Sequence, residues 1–241
     1  MKKRLGLLFF AATLASSLWS QSIGLLGGYA LTNANPSIDS DKIHFKKTPT
    51  SGFVVGPIFS WNFHPYLGFD VSVLSTMRGG DFRISVEGNT SDIIYKRTLY
   101  YVSAPLHIYF YHQIKDVELS FFVGPSLNFG LEAKDYAYLD NEFKKPLMDT
   151  ETDETVIFGK DNYLSMFEVA ADFGVNVKYK NILFRTSYQY SINNLAKNKA
   201  YVYALGNLVS GSLKETYRQG VFTLSVGYVL DFKKKQRTYS K

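Results

Sequence analysis

The chain has 241 residues, of which 16% are aromatic, and its mean hydropathy is close to zero at −0.10. It contains no cysteine, which excludes disulfide bonds, thiolate nucleophiles, cysteine-ligated zinc and a lipidated cysteine. The formal net charge is +6, but Lys2, Lys3 and Arg4 contribute three of these charges, so +3 remains without them. Nucleic-acid binding is therefore not favoured.

Residues 1–20 have the pattern of a secretory signal peptide. Three basic residues precede an apolar run from Leu5 to about Leu14, and small residues follow. The run is shorter than the roughly 20 apolar residues that a membrane-spanning helix needs. Cleavage is expected after Ser17 or after Ser20, and the sequence leaves both sites open.

Residues 21–232 contain eight segments in which apolar and polar residues alternate. This period of two predicts β-strands with one apolar and one polar face. In chain order the predicted strands are 22–31, 51–61, 66–77, 98–110, 117–131, 164–179, 182–191 and 218–232. No stretch has 18 consecutive apolar residues, so no transmembrane helix is expected.

The connections between the predicted strands alternate in length. Short links are expected at 62–65, 111–116 and 180–181. Long polar segments are expected at 32–50, 78–97, 132–163 and 192–217. Short turns at one end and long loops at the other are typical of a bacterial outer-membrane barrel with an even number of strands.

The shortest link predicts a strand register. With Lys180 and Asn181 as the two turn residues, Tyr179 faces Ile182, and apolar residues continue to face apolar residues along the hairpin. The polar face follows the same rule, since Asp172 then lies opposite Gln189. Asn tolerates the positive φ that a two-residue hairpin turn requires.

Alternation alone does not decide which face meets water, because a soluble barrel with an apolar interior has the same pattern. Three features place the apolar face in lipid: the asymmetric connections, glycines on the polar face, and two aromatic bands. The short-turn band comprises Trp61, Phe63, Tyr66, Phe110, Tyr111, Tyr179 and Phe232. The long-loop band comprises Tyr29, Phe53, Tyr100, Phe129, Tyr163, Tyr188 and Phe222.

The prediction is therefore an all-β protein: a single eight-stranded antiparallel up-and-down transmembrane β-barrel in the cell outer membrane. Its turns are periplasmic and short, and its extracellular loops are long. The barrel takes residues 21–232, and residues 233–241 form a basic periplasmic tail.

The inward face is expected to hold a polar network with a structural role, because buried charges require partners. Its charged members are Asp70, Glu118, Glu168, Asp172, Lys178 and Arg185. A proton relay or solute site is the alternative. Phe122 breaks the polar pattern and is expected to fill the interior between glycines, and His107 is expected to be an interior, hydrogen-bonded side chain.

No catalytic, cofactor-binding or metal-binding residue is predicted. The four histidines, His44, His64, His107 and His112, lack metal-ligand spacing. Gly79-Gly80-Asp81 is no phosphate loop, since neither a helix context nor a Lys-Ser/Thr pair follows. The chain is therefore expected not to be an enzyme.

Four stretches resemble the PorT-like outer-membrane β-barrel family of Bacteroidota. They are LSTMRGG at 74–80, YYVSAPLHIYFYH at 100–112, FFVGPSLNFGL at 121–131 and QGVFTLSVGYVLDF at 219–232. The resemblance implies the barrel and its location. It departs from the family where Ser103-Ala104 replaces a common Glu-Ile pair, and where the chain continues past Phe232.

The expected role is structural, or a surface interaction through the extracellular loops, and not that of an open porin, because eight strands leave little lumen. One alternative is a component or assembly factor of a secretion system, type IX-like, as the resemblance implies for some members. A second is a lipid-modifying outer-membrane enzyme. Expected partners are outer-membrane lipid and, through residues 132–163 and 192–217, other proteins; the barrel is expected to be monomeric and to bind no nucleic acid.

Overall fold

The computed structural model describes residues 21–38, 43–86, 92–139, 146–149, 164–197 and 215–232. The predicted signal peptide and basic tail lie outside these residues, as does most of the predicted loops 132–163 and 192–217. Among the described residues, no helix is long and apolar enough to cross a membrane.

The described residues form eleven β-strands joined in one antiparallel sheet. They are β1 (Gln21–Ile38), β2 (Ile43–Thr48), β3 (Thr50–His64), β4 (Leu67–Ser72), β5 (Leu74–Val86), β6 (Ile93–Ile114), β7 (Val117–Leu139), β8 (Pro146–Asp149), β9 (Phe167–Tyr179), β10 (Ile182–Ser191) and β11 (Glu215–Asp231).

The sheet closes into a ring because the first and last strands, β1 and β11, pair with each other, and β6 pairs with β7 on the far side. Strands β2 and β3 are interrupted only at Pro49, and β4 and β5 only at Val73, so each pair forms one wall segment of the ring. Strand β8 pairs only with the end of β7 and lies outside the ring. The ring thus has eight antiparallel members, and the predicted fold class is confirmed.

The hairpin at Lys180-Asn181 has the predicted register, with Tyr179 opposite Ile182 and Asp172 opposite Gln189. The positive φ falls on Lys180 (φ +53°) rather than on Asn181. The Asn181 side chain instead donates a hydrogen bond from Nδ2 to the carbonyl oxygen of Val229 at 2.9 Å. The turn is therefore held to the neighbouring strand by its second residue.

The other two short links are shorter than predicted. Strand β3 extends to His64, and only Pro65-Tyr66 form the turn to β4. Strand β6 extends to Ile114, and Lys115-Asp116 form the turn to β7.

Two of the predicted long loops are mostly strand, so those expectations were wrong. Strand β1 continues to Ile38 and β2 begins at Ile43, which reduces the first connection to four residues. Strand β5 continues to Val86 and β6 begins at Ile93. The barrel wall therefore extends beyond the lipid-facing band at the long-loop end.

Strand β6 shows why the extension was hidden in the sequence. Its odd-numbered residues face inward from Ile93 to Tyr109, without a change of face. In the part of β6 nearer its short turn, the inward residues include the polar Ser103 and His107, whereas the outward Ile108 is exposed. In the part of β6 nearer Ile93, the polar and apolar faces are exchanged. There the inward residues are mostly apolar, and the outward Lys96 is exposed.

The reversed part encloses a hydrophobic core inside the long-loop end of the barrel, which we call the apolar cap. Its buried members are Ala34, Ile43, Phe82, Ile84, Ile93, Tyr95, Leu99, Tyr101, Leu164, Leu195 and Tyr217. Phe82 and Tyr95 stack with ring centroids 4.8 Å apart. Segment 164–166 and segment 193–197 close over this core, joined by a bridge between Leu164 and Ala196.

Below the cap, the outer surface is an apolar band. Most described members of the predicted aromatic bands are exposed there: Trp61, Phe63, Tyr66, Phe110, Tyr179, Phe232, Tyr29, Phe53, Phe129, Tyr188 and Phe222. Tyr100 and Tyr111 are partly exposed, and Tyr163 lies outside the described residues. A polar interior with an apolar exterior is the arrangement of a membrane barrel.

Candidate functional site in the barrel interior

Two groups of buried charged residues occupy the interior below the apolar cap. In the lower group, Asp70 Oδ2 accepts a hydrogen bond from Arg185 Nη2 at 2.6 Å, and Asp70 Oδ1 lies 2.9 Å from His107 Nδ1. Arg185 Nε donates to Asn176 Oδ1 at 2.8 Å. We call Asp70, His107, Asp172, Asn176 and Arg185 the Arg185 cluster.

His107 lies between two carboxylates in this cluster. Its second ring nitrogen, Nε2, is 3.2 Å from Asp172 Oδ2, which is ion-pair distance, although the contact is too bent for a good hydrogen bond. Asp70 and Asp172 together carry two negative charges against the single charge of Arg185. A proton on both imidazole nitrogens brings the cluster to neutrality, which matters because an uncompensated charge in a buried site is costly.

Phe122 packs directly against the Arg185 cluster. Its ring centroid is 4.5 Å from Arg185 Cζ and 4.5 Å from the centroid of the His107 ring. Gly174 makes room for it, since a Cβ at that position would come 2.6 Å from Phe122 Cζ. The prediction that Phe122 points inward against a glycine is confirmed.

The upper group is built around Arg78. Its Nη1 is 2.9 Å from Glu168 Oε2, and its Nη2 donates to Ser103 Oγ at 3.0 Å. Asn128 Nδ2 donates to the same Glu168 oxygen at 3.1 Å, and Ser191 Oγ donates to Glu168 Oε1. We call Arg78, Ser103, Asn128, Glu168 and Ser191 the Arg78 cluster.

The sequence prediction missed Arg78 as an interior residue. It assigned residues 78–97 to a loop, because Gly79-Gly80 follow Arg78 and charged residues are frequent there. A signal for the correct placement was present, since Arg78 lies two residues after the inward-facing Thr76 and so continues its period of two.

The six predicted charged residues occupy three places. Asp70, Asp172 and Arg185 meet in the Arg185 cluster, and Glu168 belongs to the Arg78 cluster. Lys178 forms an ion pair with Asp231 at the short-turn end, with Nζ 2.5 Å from Oδ1. Glu118 lies opposite Lys178 in the β7–β9 ladder and lines the same end of the interior.

A cavity of about 40 Å³ separates the two clusters. Its wall includes Arg78, His107 and Asp172, and each of these contributes a buried polar atom that has no hydrogen-bond partner among the described residues: Nε, Nε2 and Oδ1, respectively. A cavity of this size can hold about two or three water molecules, for which these three polar atoms offer hydrogen-bond partners. Such waters would join the two clusters into one polar column.

The chemistry available in this interior is limited. His107 is enclosed by carboxylates and packed against Phe122, with no serine hydroxyl within reach in the described hydrogen bonds. His44, His64 and His112 are exposed, on β2 and at the turn ends of β3 and β6, respectively. No group of three or more His, Cys, Asp or Glu side chains suited to a metal ion occurs in the part of the chain that the structure describes.

The apolar cap contains one buried cation, Arg97. Its Nη2 donates to Tyr95 Oη at 2.8 Å, and its Cζ lies over the rings of Tyr95 and Tyr217 at 5.1 and 5.2 Å. Aromatic faces attract a guanidinium group, so these rings compensate part of its lost hydration.

A closed strand ring, an apolar outer band and a polar, ion-paired interior define an integral outer-membrane β-barrel. By its sequence the chain belongs to the family described as outer membrane protein beta-barrel domain, whose family model matches residues 19–197. The comparison with curated proteins gave no match.

Several solved barrels are similar in structure. Ail, the attachment invasion locus protein of Yersinia pestis, is 17% identical, with 88% of this chain and 99% of that chain covered and a TM-score of 0.41. OprG from Pseudomonas aeruginosa is 11% identical, with 88% and 97% covered and a TM-score of 0.45. The outer membrane protease OmpT from Escherichia coli is 7% identical, with 88% and 97% covered and a TM-score of 0.38. These values are too low to carry over a function or a site residue.

Proposed function

We propose that this protein is a closed outer-membrane barrel that makes surface interactions through its extracellular end and does not act as an open porin. The observation that carries the proposal is the apolar cap, which fills the inside of the barrel above the membrane. Phe82, Ile84 and Leu99 in the cap are almost fully buried. A water-filled channel requires a wide lumen with a polar lining, and the cap supplies neither.

The interior below the cap supports the same proposal. The Arg185 cluster joins opposite walls of the barrel by an ion pair, and Phe122 fills the space next to it. The cavity between the clusters is only about 40 Å³. A solute would have to break buried ion pairs as well as the cap.

The outer surface around the cap supports the interaction role. Lys46 on β2 lies opposite Arg83 on β5, and both are exposed or partly exposed. Lys96 and Arg218 are also exposed at this end. A rigid wall that raises charged side chains of both signs above the lipid surface suits polar contacts with other molecules. Segments 132–163 and 192–217, most of which lie outside the described residues, are the proposed contact segments.

Conductance in planar bilayers tests the closed barrel. We expect no reproducible current steps after reconstitution of the refolded protein, while a general porin reconstituted in parallel gives them. Regular ohmic steps would contradict the proposal.

Site-specific crosslinking on whole cells tests the surface role. Because the chain has no cysteine, Glu132→Cys introduces a unique attachment point for a photocrosslinker at the extracellular end. Lys115→Cys, in the β6–β7 turn, is the matched control at the opposite end. We expect protein crosslinks from position 132 and none from position 115; the reverse pattern would contradict the surface role.

The PorT-like resemblance and the secretion role stay predictions. Crosslinks from the periplasmic position to components of a secretion apparatus would favour that alternative. The enzyme alternative would require a changed lipid acyl-chain profile in a strain that lacks the protein. We expect the purified barrel to be monomeric in detergent.

A further inference from the structure

His107 connects strands on both sides of its own strand, β6. It lies opposite Asp70 of β4 in the β4–β6 ladder, and its Nδ1 is 2.9 Å from Asp70 Oδ1. On the other side it reaches across β7 to Asp172 of β9, with Nε2 3.2 Å from Oδ2. Gly124 of β7 leaves room for this reach, because it lies opposite Asp172 and a Cβ there would come 3.0 Å from His107 Cα. One imidazole ring thus links β4, β6 and β9.

The charges next to His107 do not balance unless its ring is positively charged. Asp70 and Asp172 carry two negative charges, and Arg185 of β10, whose Nη2 is 2.6 Å from Asp70 Oδ2, carries one positive charge. All four side chains are at least nine-tenths buried. With a neutral imidazole the site would therefore hold a net charge of −1 away from water, which is costly, whereas an imidazolium ring brings the sum to zero.

The remaining neighbours of His107 do not change this balance. On β7 the Phe122 ring covers it, with the two ring centroids 4.5 Å apart. Arg78 of β5 lines the same cavity as His107, but its Nη1 forms an ion pair with Glu168 of β9 at 2.9 Å. The charge of the His107 ring is therefore the variable that decides whether the Arg185 cluster is neutral.

A path for the proton leads towards the short-turn end. A chamber of about 30 Å³ lies there, with Asp70 and Arg185 in its wall on the inner side and Lys178 and Asp231 in its wall towards the turns. The side chains of Lys178 and Asp231 are 13% and 27% exposed, so water reaches this end of the chamber. A proton that leaves His107 Nδ1 can pass to Asp70 Oδ1 and from there to water, with no other bond changed.

We propose that His107 is a pH-sensitive link between the walls of the barrel. When both ring nitrogens carry protons, the ring donates to Asp70 and attracts Asp172, and it holds β4, β6 and β9 together. When one proton leaves, one carboxylate loses its partner and the Arg185 cluster acquires a net negative charge. The barrel then becomes less stable. This link lies inside the barrel and does not depend on the surface interactions proposed above, so the conductance and crosslinking results leave it untouched.

A single-histidine protein isolates the link for measurement. The chain has four histidines, and His44, His64 and His112 are exposed, so replacing these three with glutamine leaves His107 alone. In the untagged barrel, labelled with nitrogen-15 at histidine and held in detergent micelles, the nitrogen chemical shifts distinguish an imidazolium ring from a neutral one. We expect two protonated ring nitrogens on His107 at about pH 7 and only one at alkaline pH.

Asp172→Asn tests the charge balance with little change of shape. Asp70 and Arg185 then compensate each other, so His107 no longer needs a second proton. We expect the His107 ring of this variant to be neutral at about pH 7. Asp231→Asn is the matched control, because Asp231 pairs with Lys178 outside the Arg185 cluster. It should leave both protons on His107.

The unfolding equilibrium reports the effect on the walls. The folded cluster needs the second proton for neutrality and the unfolded chain does not, so stability falls as the pH rises through the titration of His107. In the single-histidine protein the equilibrium constant for unfolding in urea should rise by up to about tenfold per pH unit, the slope for one proton. Adding Asp172→Asn should remove this rise.

Three results would overturn the proposal. The first is a His107 ring that is already neutral in the single-histidine protein at about pH 5 to 7. The second is an imidazolium ring that persists unchanged at about pH 7 when Asp172→Asn is added. The third is an unfolding equilibrium that does not change while His107 titrates. The first and third results need only the single-histidine protein, so they decide the matter even if Asp172→Asn does not fold.

Discussion

Arg185 Nη2 and Asp70 Oδ2 are 2.6 Å apart, although the two residues are separated by 115 positions in the sequence. Their strands, β10 and β4, are four places apart in the ring of eight, so the bond spans the full diameter of the barrel. Direct contact across the lumen is possible because an eight-stranded barrel is just wide enough for side chains to fill.

Replacing Arg185 with leucine should lower the stability of the barrel. Asp70 would then lose its guanidinium partner in a buried site, and breaking a buried ion pair typically costs about 3–5 kcal/mol. The measurement is the free energy of unfolding in urea, together with heat-induced loss of the folded band on a gel. Arg218→Leu, at an exposed position, is the control and should change stability by less than about 0.5 kcal/mol. Unchanged melting of the Arg185 variant would refute the structural role of this pair.

The Arg78–Glu168 pair should show strong coupling in a double-mutant cycle. Arg78→Met or Glu168→Gln alone leaves a buried group without its partner. The double variant removes both charges, so its loss of stability should be smaller than the sum of the single losses, with a coupling of about 1–3 kcal/mol. Additive losses would mean that the two side chains do not act as a pair. Urea unfolding of the three variants and the parent protein provides the data.

Phe122→Ala should destabilise the barrel more than Phe121→Ala. The Phe122 ring packs against Arg185, His107 and Gly174, so its removal leaves a cavity inside the barrel, at a cost of about 3–5 kcal/mol. Phe121 is the adjacent residue on the lipid face, where hydrocarbon fills the space that the ring leaves. If both substitutions lower the free energy of unfolding equally, the packing of Phe122 inside the barrel stabilises the fold no more than a lipid-facing ring does.

Asp81 should give the extracellular end a small dependence on pH. It lies on β5 above the apolar outer band, and partial burial raises the pKa of its carboxyl group even though Lys96 lies opposite. Since the folded chain then holds this proton more tightly than the unfolded chain, stability is greater below the pKa and falls as the pH rises through it. Asp81→Asn should remove this fall and raise stability at pH 7 by less than about 0.5 kcal/mol after solvent screening. Identical pH profiles of unfolding for the variant and the parent would contradict this assignment.

The sequence predicted the membrane part of the fold well because period-two alternation and turn chemistry are local. The register at Lys180-Asn181 and the inward position of Phe122 follow directly from counting residues. Pairings across the lumen do not, since Arg185 and Asp70 approach each other only when the ring closes.

The extracellular extension was not predicted because the expected rule reverses there. In β6, Tyr95 and Leu99 face inward and Lys96 faces outward, so the upper part resembles a water-soluble barrel. Because charged residues occupy the outward face there, the segment does not match the pattern of a lipid-facing strand and is predicted to be a loop. The missed placement of Arg97 has this cause, whereas Arg78 was missed because Gly79-Gly80 follow it directly.

The apolar cap also makes insertion of the barrel into the membrane directional. Its core can form only after the ends of β1, β2, β5, β6 and β11 have crossed the bilayer, because the cap lies beyond the lipid-facing band. The free energy of that burial is therefore gained on the far side of the membrane. Once formed, the cap presents a charged outer wall to water, and withdrawing it through hydrocarbon would require both unpacking the core and dehydrating that wall. The cap is thus an anchor that makes insertion effectively one-way.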